Sequence, residues 1–165
     1  PMAKSTQYVT ASGELFYAKV FPQNMDKNPE YHEKTQGSYN TIFVPDSDEE
    51  LDKFLNAGFP KEVLGTQMVR PYDVAGGRKG IKLKRPNVHP NVEDLGGAPP
   101  VYDFTQGEAS KDWDFDVDGA LGNGTKAKVK VTIHDSGKPG WSPSIRLDAV
   151  AILKHVPFVD SAPGW

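Results

Sequence analysis

Between Thr125 and Val131 the chain reads TKAKVKV, and no other stretch limits its fold as sharply. Lys126, Lys128 and Lys130 alternate with Ala127, Val129 and Val131. Successive side chains of a β-strand point to opposite faces, so a strand sorts these residues into one basic row and one apolar row. A helix would scatter the same residues around its circumference. Lysines about 7 Å apart on one face repel one another. Such a row is tolerated in solvent and becomes favourable beside a polyanion. The run Gly122-Asn123-Gly124 ahead of it reads as a tight turn. It is not a phosphate-binding loop, which needs GxxxxGK[ST] leading into a helix.

The same period recurs elsewhere. The 16 Gly and 14 Pro of this 165-residue chain punctuate short apolar-alternating segments, the pattern of a mainly β protein with long loops. Strands are expected over Glu14–Phe21, Ser38–Val44, Gly80–Arg85, Val101–Phe104, Thr125–His134 and Ser144–Val156. A short strand over Thr6–Thr10 is a further option. Ser47-Asp48-Glu49-Glu50 has the form of a capping box, with Leu51, Phe54 and Leu55 at helical spacing behind it and Gly58 as a left-handed stop. The expected fold is one domain over 1–165: an OB-fold-like five-stranded barrel with one capped α-helix, 1–12 and 159–165 being flexible ends. Pro1-Met2 reads as a cleavage scar ahead of a natural start methionine. No apolar run is long enough to span a membrane.

Net charge is −3, which by itself argues against a nucleic-acid binder. The charges are blocked, however. Residues 1–77 hold 7 Lys/Arg against 11 Asp/Glu, and residues 78–165 hold 12 against 11. Arg78, Lys79, Lys82, Lys84 and Arg85 follow one another with no intervening acid, whereas 103–118 is acidic. A ligand feels the local patch within a Debye length near 10 Å. In KGIKLKRPN, Lys82 and Lys84 alternate with Ile81 and Leu83, which makes a second basic strand. Phosphates neutralised by such lysines release counterions, so binding should weaken steeply with salt.

Exposed rings are the other ingredient of single-strand binding, because bases stack on them. On Leu15–Phe21 the period places Tyr17, Lys19 and Phe21 on one face. On Ser38–Val44 it places Tyr39, Thr41 and Phe43 together. Tyr72, Trp113 and Trp141 fall in Gly/Pro-rich loops. The DNA-binding residues expected are Tyr17, Lys19, Tyr39, Tyr72, Lys79, Lys82, Lys84, Arg85, Lys126, Lys128, Lys130 and Trp141.

Catalysis finds no motif. There is no cysteine, no GxSxG, and no ligand spacing among His32, His89, His134 and His155. Asp114, Asp116, Asp118 and Gly119 match the start of an EF-hand loop, but position 12 is Thr125 where a bidentate Glu is required. An acidic edge strand is the plainer reading of Asp112–Asp118. No cofactor and no metal are expected, and the chain is not expected to be an enzyme. A β-sandwich module of a virion, with the lysine rows at a subunit interface, is the alternative. A metal-dependent hydrolase using the aspartate run is a third option.

Several segments together resemble the single-stranded DNA-binding proteins of bacteriophages. They are LFYAKVF (Leu15–Phe21), GSYNTIFVP (Gly37–Pro45) with the helix DSDEELDKFLNAG, KLKRPN (Lys82–Asn87), LGNGTKAKVKV (Leu121–Val131) and RLDAVAILKHVPF (Arg146–Phe158). The resemblance implies an OB-fold that coats single-stranded DNA without strong sequence preference, in phage DNA replication or recombination, in the cytoplasm of the infected bacterial host. It implies a DNA path over Tyr17, Lys19, Tyr39, Lys82, Lys84, Arg85, Lys126, Lys128 and Lys130. Phage replication proteins and a second copy of the chain are candidate partners. Family members commonly end in an acidic tail. This chain ends FVDSAPGW, with Asp160 as its one acid and Trp165 as a terminal aromatic.

Overall fold

The structure is a computed structural model that describes residues 5–28, 34–59 and 80–159. Its strands are β1 (Ser5–Lys19), β2 (Ser38–Pro45), β3 (Ile81–Pro86), β4 (Val101–Asp103), β5 (Lys111–Asp112), β6 (Thr125–Asp135) and β7 (Ser144–Lys154). Hydrogen bonding runs β3-β2-β1-β6-β7, and a parallel bridge from Lys84 to Arg146 joins β3 back to β7. Five strands therefore close into a barrel with the ring order of an OB-fold. β4 lies outside the ring, parallel to β7 and antiparallel to β5.

The strand β1 serves two partners. Residues 5–15 pair with β6 in eleven consecutive registers, and residues 13–19 pair with β2. Residues 5–12, expected in a flexible end, are thus part of the ladder. The turn from one partner to the other is made at Gly13. A Cβ there would collide with the Val44 carbonyl oxygen and lie 2.7 Å from Phe43 ring atoms. Only glycine allows the two strands to approach so closely at this corner.

Apolar rows facing inward fill the barrel. Val9, Leu15, Phe43, Ile81, Leu83, Val129, Val131, Leu147 and Ile152 are all buried. Against them packs α1 (Asp48–Asn56), whose Phe54 is fully buried with its ring centroid 5.9 Å from that of Phe43. The helix starts at Ser47, whose hydroxyl accepts from the Glu50 amide. The return arm of the expected capping box is redirected, because Glu50 Oε2 instead accepts from the Ser12 amide of β1 and pairs with Lys53 at 2.7 Å. At the other end Gly58 has φ 97°, and the amides of Gly58 and Phe59 bond the carbonyls of Leu55 and Phe54. This is a Schellman stop, completed by burial of Phe59 beside Phe54.

Two local expectations are corrected. Of the acidic segment, only Lys111–Asp112 is an edge strand. Phe115–Asp118 forms a helical turn, α2, whose N-cap Asp114 accepts from the amides of Asp116 and Val117. The second correction lies at the end of β1. A bulge between Phe16 and Lys19 places Tyr17 at φ 51° and breaks the period. Tyr17 and Lys19 stay exposed, while Phe21 turns into the core and Phe16 packs with Val44 and Ile42 in a separate cluster. The aromatic–lysine–aromatic face therefore loses its third member.

Candidate nucleic-acid interface

Along β3 the side chains alternate as expected: Ile81 and Leu83 enter the core, and Lys82 and Lys84 face outward. Register extends that outer row over the neighbouring strands. Lys84 lies opposite Asn40 of β2, Asn40 lies opposite Lys19 of β1, and on its other side Lys84 meets Arg146 of β7; Asn40 itself is buried, so the exposed cations flank it. With strands about 4.8 Å apart, Lys19 and Lys84 stand roughly 10 Å from each other. Lys82 and Lys84 also line a groove with Pro143, Ser144 and Ile145, where the β6–β7 connection enters β7.

That connection carries Trp141, which is 67% exposed. Its ring lies 5.3 Å from Lys138 Nζ, a cation–π pair that holds a positive charge beside an open aromatic face. Lys138 was not anticipated, although Lys-Pro-Gly-Trp in a loop was a legible signal. Asp26 was also missed. It bridges back to Ser38, and its Oδ2 accepts from Asn40 Nδ2 at 3.1 Å. Burial works to raise its pKa, but bonds from Asn28 and Asn40 and the charges of Lys19 and Lys82 hold it below the usual aspartate range. One carboxylate therefore sits among the lysines of this face.

The lysines of β6 lie elsewhere. Lys126, Lys128 and Lys130 all face outward, with Ala127, Val129 and Val131 buried between them. In the five-strand ring, though, β6 is bonded to β1 and β7 and lies opposite the β2–β3 pair. The two basic strands thus make two faces, not one groove. Acids also answer the β6 row. Lys126 Nζ is 3.5 Å from Glu14 and 3.6 Å from Asp46, and Lys128 contributes to the lowered pKa of Glu50.

Two expected contact residues are inside the protein. Tyr39 is 3% exposed and its hydroxyl donates to Asn87 Oδ1; burial raises its pKa. Arg85 is 9% exposed and shares the inward side of β3 with Ile81 and Leu83. Its Nε donates to the Gly97 carbonyl at 2.9 Å, Nη1 to that of Leu147, and Nη2 to those of Asp94 and Gly96. Asp148 lies 3.6 Å away, and is itself held by Arg146 and by the Thr132 hydroxyl. Burial pushes the Arg85 pKa down, Asp148 opposes this, and Arg146 adds to it. The guanidinium ties the 94–97 loop to β7.

Trp113 is also buried, donating through Nε1 to the Gly119 carbonyl and packing edge-on against His155. Tyr72 and Lys79 lie outside the described residues. Among the described residues no three His, Asp or Glu side chains converge as a metal site. What the interface offers is therefore cations on a shallow face, with an exposed ring in the connection that leads into it. No protein-family model and no curated protein sequence matches the chain.

Proposed function

We propose that this protein binds single-stranded DNA along the outward lysines of β3 and the end of β1, coating it without strong sequence preference during phage DNA replication or recombination. One observation carries the reading: exposed Lys19 and Lys84 flank the buried Asn40 across three ring strands, and Lys84 lines a groove with the end of the connection that carries exposed Trp141. On OB-type barrels the face of the second and third strands, with the loop between the fourth and fifth, is the usual oligonucleotide surface. Here that loop is the β6–β7 connection. Lysines neutralise phosphates whatever the base, and a ring stacks on any base, so the chemistry favours strand over sequence.

The test is a titration of fluorescent oligothymidine and of a duplex at about 50 and 200 mM salt. The single strand should bind more tightly, quench Trp141, and lose affinity steeply with salt. In Lys82→Glu/Lys84→Glu the salt slope should shrink by at least about 0.7 per lost contact. In Lys128→Glu/Lys130→Glu it should stay near the wild-type value. Failure to bind at low salt, or binding indifferent to Lys82 and Lys84, would rule the interface out.

A further inference from the structure

Where β1 ends, an apolar cleft of about 720 Å³ opens between the bulge at Tyr17–Lys19, the turn at 120–123 before β6, and 156–159 after β7, with Asn24 and Phe115 completing its walls. The rings of Tyr17 and Phe158 line it and remain 43% and 61% exposed, while Leu121 is buried. A cleft of this size, apolar with a few polar groups, has the character of a small-molecule site.

Three features define what could fill it. Tyr17 holds a left-handed backbone, φ 51°, a conformation that strains a bulky residue. Its amide is fixed there by donation to Asn123 Oδ1 at 2.8 Å. That bond assigns the orientation of the Asn123 amide and leaves its Nδ2 donors for another group. Lys19 lines the same cleft and is also the first cation of the Lys19–Asn40–Lys84 row. A fitting occupant has flat apolar faces, acceptors along its edge and an anionic group attached. An aliphatic chain would leave Asn123 and Lys19 unused.

We propose that the cleft takes one unstacked nucleotide of the bound strand. Its base lies against Tyr17 and Phe158, its edge accepts from Asn123 Nδ2, and its phosphate meets Lys19. This rests on the single-strand reading above and adds to it a base-holding site at the far end of the lysine row from Trp141.

The experiment compares the whole chain with Phe158→Ala and Tyr17→Ala on two probes, oligothymidine and an abasic strand of equal length. Phe158 is exposed, so its replacement leaves the core intact even if the Tyr17 change relaxes the bulge. Each variant should bind oligothymidine about tenfold more weakly, as loss of one stacking partner predicts. The salt slope should not change, because the phosphates keep their lysines. On the abasic strand, variants and wild type should bind alike. Wild-type affinity of both variants for oligothymidine, with the steep salt dependence retained, would overturn the cleft and leave the lysine face standing. Equal losses on both probes would also overturn it, because the effect would not act through a base. Absence of any strand binding at about 50 mM salt would remove both readings together.

Discussion

Arg85 separates two accounts of the basic segment on β3. If it were a phosphate ligand, Arg85→Lys would keep both charge and function. Its geometry predicts otherwise. The guanidinium donates to four carbonyls and stands 3.6 Å from Asp148. Hydrogen bonds to a charged group contribute about 1.5–3 kcal/mol each, but those to Asp94, Gly96 and Gly97 lie on a loop that water can reach after truncation. Leu147 is fully buried, and its carbonyl has no such recourse. Breaking a buried charged cluster costs about 3–5 kcal/mol, which we take for Arg85→Ala. Lysine keeps the charge but loses the planar fork, so about 2 kcal/mol should go with Arg85→Lys. For a chain of this size each kcal/mol moves Tm by about 2–4 °C, so the lysine variant should melt roughly 4–8 °C lower. Thermal unfolding followed by circular dichroism measures this, and the salt slope of strand binding is then taken well below the melting range. That slope should match wild type in both variants. An Arg85→Lys protein that melts with wild type, together with a reduced slope in Arg85→Ala, would refute the structural account.

Gly13→Ala should cost about 3 kcal/mol by urea denaturation, because its methyl meets the Val44 carbonyl and the Phe43 ring at a corner with no room to yield. Asp26→Asn removes the carboxylate beside Lys19 and Lys82, so oligothymidine should bind a few-fold more tightly and with a steeper salt slope. The Glu50 pKa is lowered first by the bond from Lys53. A depressed carboxyl stabilises the fold above its unfolded pKa, and that contribution is lost as pH falls through the lower folded value. Glu50→Gln should therefore cost about 0.5–1 kcal/mol at neutral pH. The difference from wild type should shrink progressively as urea melts are taken below pH 4.5.

Period two made β3 and β6 legible as strands with lysines on one side, and the Ser47 cap with the Gly58 stop placed α1 to within a residue of its bounds. The same rule held a signal that a search for cations overrides: alternation that puts Lys82 and Lys84 outside puts Arg85 inside with Leu83. Tyr39 likewise shares its side of β2 with Phe43. The bulge at Tyr17 was not legible, since one extra residue leaves no mark in composition yet reverses the facing of Phe21. Nor could alternation tell that β3 and β6 stand on different sides of the barrel. That depends on which strands pair across more than sixty residues, a property of closure and not of any local run.

The closure itself has a dynamic consequence. β1 and β6 share eleven registered pairs, whereas β3 and β7 meet at the single pair Lys84–Arg146, reinforced by the Arg85 side chain. A ring parts where it is least stitched, so sub-global opening should begin at this seam. In native-state hydrogen exchange, amides of β3 and the start of β7 should exchange well before those in the middle of β1 and β6. A strand bound from Lys84 to Ser144 would lie across the seam like a strap. Slowed exchange at β3 and β7, with β1 and β6 unchanged, would then report occupancy of that face.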